Sequence, residues 1–166
     1  MANTTFSGPV TSENGFIGAL TGNVTGNVTG NVTGSVTGAS ANSELTAVGS
    51  VTAAQSGTTF FLNSATEFAT TLPAPAAGLR YTFIVKAAPS GANYTIVTAS
   101  SANIIKGQAY PASGDAGDTG TADDTISFVS AQSVAGDRVE LYCDGTSWFA
   151  YAYCAVAAGV TFTQAS

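Results

Sequence analysis

Between Gly22 and Gly38 the chain reads GNVTGNVTGNVTGSVTG, and its apolar and polar positions separate by parity. Val24, Val28, Val32 and Val36 are even-numbered, and so are Gly22, Gly26, Gly30, Gly34 and Gly38. The odd positions between them hold Asn, Thr and Ser. Alternate side chains of an extended strand point to opposite faces, so one face is Val and Gly and the other is hydroxyl and amide. A helix would scatter valines spaced by four residues, and glycine at the same spacing disfavours it further. The parity begins earlier, at Phe6, Gly8 and Val10, and resumes at Phe16, Gly18 and Leu20. Ser12 and Asn14 interrupt it inside the turn-forming stretch Thr11–Gly15.

A ribbon with one narrow apolar stripe cannot bury that stripe alone. Three copies wound about an axis would bury it, and glycine would let the backbones approach closely. The pattern predicts an intertwined homotrimeric shaft over residues 16–42, with Phe16, Leu20, Val24, Val28, Val32 and Val36 on its axis. Fully extended, Phe16–Gly38 would span ~75 Å. The rival reading of this composition is a flexible Gly/Ser/Thr linker. Strict parity favours the shaft. Residues 1–15 then form a separate docking segment, in which Phe6 and Val10, with Phe16, are the candidate contacts.

The repeat is lost over residues 43–54, read as a connector that spreads three strands into three heads. A short helix over Ser43–Val48 is weakly signalled. From Gln55 onward short β runs alternate with turn signals. The expected strands are Thr58–Asn63, Phe68–Leu72, Arg80–Lys86, Tyr94–Thr98, Ile104–Lys106, Thr125–Ser130, Arg138–Cys143, Trp148–Val156 and Val160–Thr163. Tyr81, Phe83 and Val85 share one face of their strand, and Thr82, Ile84 and Lys86 the other. Trp148, Phe149, Tyr151 and Tyr153 read as core and sheet packing. The fold expected is all-β: an extended trimeric shaft followed, over residues 55–166, by an antiparallel β-sandwich or barrel head.

Composition sharpens this picture. Of 166 residues 45% are hydrophobic and only 8% charged, which suits a β protein with a hydroxyl-rich exterior. The net charge is −6, and the four basic residues, Arg80, Lys86, Lys106 and Arg138, are scattered along the chain. That pattern speaks against nucleic-acid binding. Nothing resembles a secretory signal or a membrane span, so no membrane insertion is expected. Histidine is absent, which removes the usual general base and the commonest metal ligand. Cys143 and Cys154 fall in one hairpin but are offset too far to bond, so two buried thiols are expected.

One cluster of candidate chemistry remains: Asp115, Asp118, Asp123 and Asp124 in a Gly-rich loop. Carboxylates on such a loop could hold calcium or act as acid and base, but their spacing matches no calcium loop and marks no pocket. A solvated turn is the expectation, with no catalytic residue, metal or cofactor.

Thr5–Phe16 followed by the Gly-Asn-Val-Thr run resembles the N-terminal segments of fibre and head-decoration proteins of tailed bacteriophages, marine ones especially. Phe60–Asn63, Thr71–Pro75, Arg80–Val85 and Val139–Trp148 resemble the heads of such proteins. The resemblance implies a homotrimeric virion surface protein, docked through its N-terminus with the β head outward, and it carries over no catalytic residues. The partner implied is a major capsid protein or another virion protein, with host surface glycan as a further candidate. A capsid decoration or head fibre is favoured over a receptor-binding tail fibre, because only residues 1–15 precede the shaft.

Overall fold

A computed structural model describes residues 42–64 and 68–164. All of them belong to one unit, Val36–Ser166. The proposed shaft axis (Phe16, Leu20, Val24, Val28, Val32, Val36) and the docking residues Phe6 and Val10 lie outside the described residues.

The head is all-β. Its strands are β1 (Asn42–Leu45), β2 (Gly49–Ser50), β3 (Thr59–Leu62), β4 (Phe68–Thr71), β5 (Arg80–Val85) and β6 (Tyr94–Val97), then β7 (Ile105–Pro111), β8 (Thr119–Asp123), β9 (Thr125–Phe128), β10 (Arg138–Cys143), β11 (Trp148–Cys154) and β12 (Val160–Thr163). Seven form one sheet in the order β1-β3-β5-β10-β11-β7-β8. Five form the other in the order β12-β9-β6-β4-β2. Both sheets contribute to a single apolar core, giving a β-sandwich-like fold.

The sheets are mixed, which corrects the expectation of an antiparallel head. From β1 to β6 successive strands alternate between the two sheets. Strands that neighbour each other in one sheet are therefore separated by a strand in the other. The return crossing restores the original direction, so β1, β3 and β5 pair in parallel, as do β2, β4 and β6. Parallel pairs need such a crossover, and here a strand of the opposite layer supplies it. The later strands β10 and β11 form an ordinary antiparallel hairpin.

Core packing follows from alternation. On β5, Tyr81, Phe83 and Val85, which share one face by parity, are buried, while Thr82 and Ile84 lie on the other face. Phe60 stacks on Phe83 with ring centroids 5.3 Å apart, and Tyr81 meets Trp148 at 5.7 Å. In the other sheet Phe68 and Tyr94 meet at 4.7 Å. The buried Tyr81 hydroxyl donates to Thr52 O at 2.9 Å, which satisfies the polar end of a core side chain. Cys143 and Cys154 are both free and buried, as expected. They sit at opposite ends of the hairpin, facing Trp148 and Pro111. Burial, and then the Asp137 carboxylate nearby, push the Cys154 thiol up.

Three departures from the expected elements have local causes. Asn42–Leu45 is a strand, where the sequence weakly signals a helix over Ser43–Val48. Leu45 packs against the core, and the outward Glu44 accepts from Asn63 Nδ2 at 2.6 Å and pairs with Lys86. So short a segment gains more from adding to a sheet edge than from nucleating a helix. The strand at Ile105 continues through Gly107 to Pro111, because Gly107 lies against Ala150 of β11. Part of the acidic loop is strand β8, paired with β7.

Candidate functional site

The exposed aromatic side chains gather on the outer face of the seven-stranded sheet. Residues of β11 alternate strictly: Trp148, Ala150, Ala152 and Cys154 are buried, and Phe149, Tyr151 and Tyr153 are exposed. On β10 the outward set is Arg138, Glu140 and Tyr142, and on β7 it is Lys106, Gln108 and Tyr110. Strand register assembles these into rows. Arg138 lies beside Tyr153, which lies beside Tyr110. Glu140, Tyr151 and Gln108 make the next row, and Arg80, Tyr142, Phe149 and Lys106 the third.

Of the expected core and sheet packing of these aromatics, Phe149, Tyr151 and Tyr153 show the sheet packing and not the core. Only Trp148 of that group enters the core. The other three are between 37% and 44% exposed and lie on the solvent side of the sheet. The signal was present in the sequence as parity along WFAYAYC. Small residues at Ala150 and Ala152 mark the inward positions.

Ring contacts hold the face in a fixed arrangement. Tyr110 and Tyr153 stack at 5.7 Å, and Tyr142 and Tyr151 meet edge-on at 6.2 Å. The Arg138 guanidinium lies 4.3 Å above the Tyr153 ring, and its Nε is 3.3 Å from Glu140 Oε1. Lys106 Nζ sits 5.8 Å from the Phe149 centroid. Partial removal from water, and then the Glu140 carboxylate, raise the pKa of Tyr142. The phenol therefore stays protonated and donates to Glu140 Oε2 at 3.3 Å. At the edge of the face a recess of about 220 Å³ is lined by Gly57, Arg80, Tyr81, Thr82 and Tyr142. No carboxylate lines it.

The acidic cluster is taken up by the fold. Asp118 Oδ2 accepts from Phe162 N at 2.7 Å, and its Oδ1 from Thr119 N at 2.9 Å, so it ties the start of β8 to β12 in the other sheet. Asp123 Oδ2 accepts from Thr121 N at 3.0 Å, and the buried Asp124 accepts from Thr125 Oγ1 at 2.7 Å. Asp115 is exposed. Among the described residues no three His, Cys, Asp or Glu side chains come together as a metal-holding group. No helix among them is long and apolar enough to cross a membrane.

The fold is a mixed β-sandwich whose seven-stranded sheet carries exposed aromatic and cationic side chains on its outer face. No family model, curated protein or solved structure matches the chain.

Proposed function

We propose that the chain is a structural virion protein: a homotrimeric capsid decoration or head fibre, docked by its N-terminal segment, with the β head outward. The observation that carries this reading is the contact face, on which strand register lines up Tyr142, Phe149, Tyr151, Tyr153 and Tyr110 with solvent-facing rings. A rigid sheet bearing exposed aromatics suits recognition by adhesion, since aromatic groups dominate contact energies. The apolar stripe from Phe16 to Gly38 supports the trimeric shaft, and the resemblance of Thr5–Phe16 to phage fibre segments supports the virion. Phe6, Val10 and Phe16 are the docking contacts in this reading. In this reading the head works by adhesion, and the recess beside the face offers Arg80, Thr82 and Tyr142 for contact.

The same face supports a second reading, a receptor-binding tail fibre, because an adhesin needs such a surface. An asymmetric reconstruction of the virion, with the chain immunolabelled, separates the two. Threefold density on the shell is expected. Label confined to the tail would replace the first reading by the second, and label on neither would overturn both.

A further inference from the structure

We propose that the contact face binds an acidic polysaccharide, with a uronate carboxylate held by Arg80 and its sugar ring laid against Tyr142. This rests on the reading of the outer face as the contact surface.

Charge gives the first argument. The chain carries a net charge of −6, yet three of its four basic residues, Arg80, Lys106 and Arg138, stand on this one face. The fourth, Lys86, is paired with Glu44 of β1. Glu140 is the one acid in the three rows of the face. An acidic protein that gathers its cations among exposed rings is complementary to an anion with an apolar side.

Occupancy of the cations gives the second. Arg138 is held by Glu140 and Tyr153, and Lys106 lies over Phe149. Among the described residues the Arg80 guanidinium has no ion pair, side-chain hydrogen bond or ring contact. It lines the recess beside Tyr142 and Thr82. A guanidinium presents a planar fork that matches a carboxylate with two parallel hydrogen bonds. Gly57, at φ 88°, adds no side chain to the recess wall.

The rings give the third. A pyranose has faces of C–H groups and edges of hydroxyls, so it packs flat on an aromatic face while its edges hydrogen-bond. From Tyr142 the surface continues to Phe149 and Tyr151, which extends the platform to further sugars of one chain. A single-stranded nucleic acid also stacks on rings, but it requires a cationic groove tracking successive phosphates. Here two of the three cations already lie over rings.

The experiment is calorimetric titration of the full chain with oligogalacturonate, with a neutral cello-oligosaccharide of equal length, with dextran sulfate and with oligo-dT. Oligogalacturonate should bind best, and more weakly as salt rises. Arg80→Gln should weaken it about tenfold or more, the scale of a lost charge-assisted pair. Arg80→Lys keeps the charge without the fork and should give an intermediate loss. Lys86→Gln should change nothing. Equal binding of the neutral sugar or of dextran sulfate, tighter binding of oligo-dT, or unchanged affinity in Arg80→Gln would overturn the proposal. So would dissociation of the oligomer in Tyr142→Ala, read by sedimentation, because the face would then be a subunit interface. Adsorption of Tyr151→Ala to host cells and to capsids separates the two levels. If that variant fails to adsorb while no uronate binds, the contact face stands and the acidic sugar falls. If it adsorbs normally, the contact face falls as well.

Discussion

Asp137 is 4% exposed, yet three donors meet its carboxylate. Ser133 Oγ donates at 2.9 Å, Val134 N at 3.0 Å and Ala155 N at 2.9 Å, so one side chain closes the turn before β10 and the end of β11. Asp137→Ala would leave those donors unpaired, and we expect a loss of about 3 kcal/mol or more, measured by urea unfolding. An unchanged midpoint would show that the carboxylate is dispensable. Asp144 makes a similar but exposed knot in the β10–β11 turn. Its Oδ1 accepts from Ser147 N at 2.8 Å, Thr146 N at 2.7 Å and Thr146 Oγ1 at 2.9 Å. Those hydrogen bonds, with that from Ser147 first, hold its pKa below the usual 3.8. A depressed carboxyl contributes stability that is fully present above its unfolded pKa and is lost as pH falls through the folded one. Titration from pH ~6 to ~2 should therefore show a steeper acid loss in the parent than in Asp144→Asn. Neither knot was legible beforehand. Asp137 is one acidic residue among ten, and nothing in its neighbours reveals that three donors converge on it.

At the scale of elements, parity was the readable signal. It put Tyr81, Phe83 and Val85 on one face, which is the buried one, and the strands expected over Arg138–Cys143 and Val160–Thr163 have the bounds observed. Parity also turns Phe149, Tyr151 and Tyr153 outward, against the inward pull of their aromatic character. What local pattern could not supply was tolerance for glycine. Gly107 and Gly120 look like breakers, yet each lets a strand approach a neighbour closely. A Cβ on Gly107 would lie 2.4 Å from Ala150 O, and one on Gly120 would lie 2.9 Å from the Phe162 ring. The first clash is with backbone and has little room to relax. Gly107→Ala should thus cost about 1–3 kcal/mol and loosen the β7–β11 pairing that supports Lys106 and Tyr110. Gly49→Ala, whose nearest atom would be 3.9 Å away, is the matched control. Urea unfolding of the two variants should separate them, and equal midpoints would remove the packing argument.

For the whole molecule, the order of strands between layers could not be read from the chain. Regular spacing of short runs says that a sandwich forms but not which sheet takes the next strand, so the alternation of β1 to β6 and the resulting parallel pairs were hidden. The acidic loop was visible as a cluster, but its attachment to β12 depends on two sheet edges meeting. The contact face is likewise a product of register, since its members come from residues 80, 106–110, 138–142 and 149–153. One such face offers few anchors and implies weak contact per head. The proposed trimer changes that, because heads joined by a common shaft bind with high effective concentration once the first is seated. Val28→Asp with Val32→Asp would place charges on the shared axis, which is strongly unfavourable when buried. The double variant should sediment as a monomer, keep the parent's β-type circular dichroism, and bind oligogalacturonate with unchanged affinity per head. Its adsorption to a surface should fall by about 10²–10⁴, the range lost with multivalency. A variant that remains trimeric would remove the axial role of the Val/Gly stripe. A monomer that adsorbs as well as the parent would show that a single head suffices and that the repeat serves another purpose.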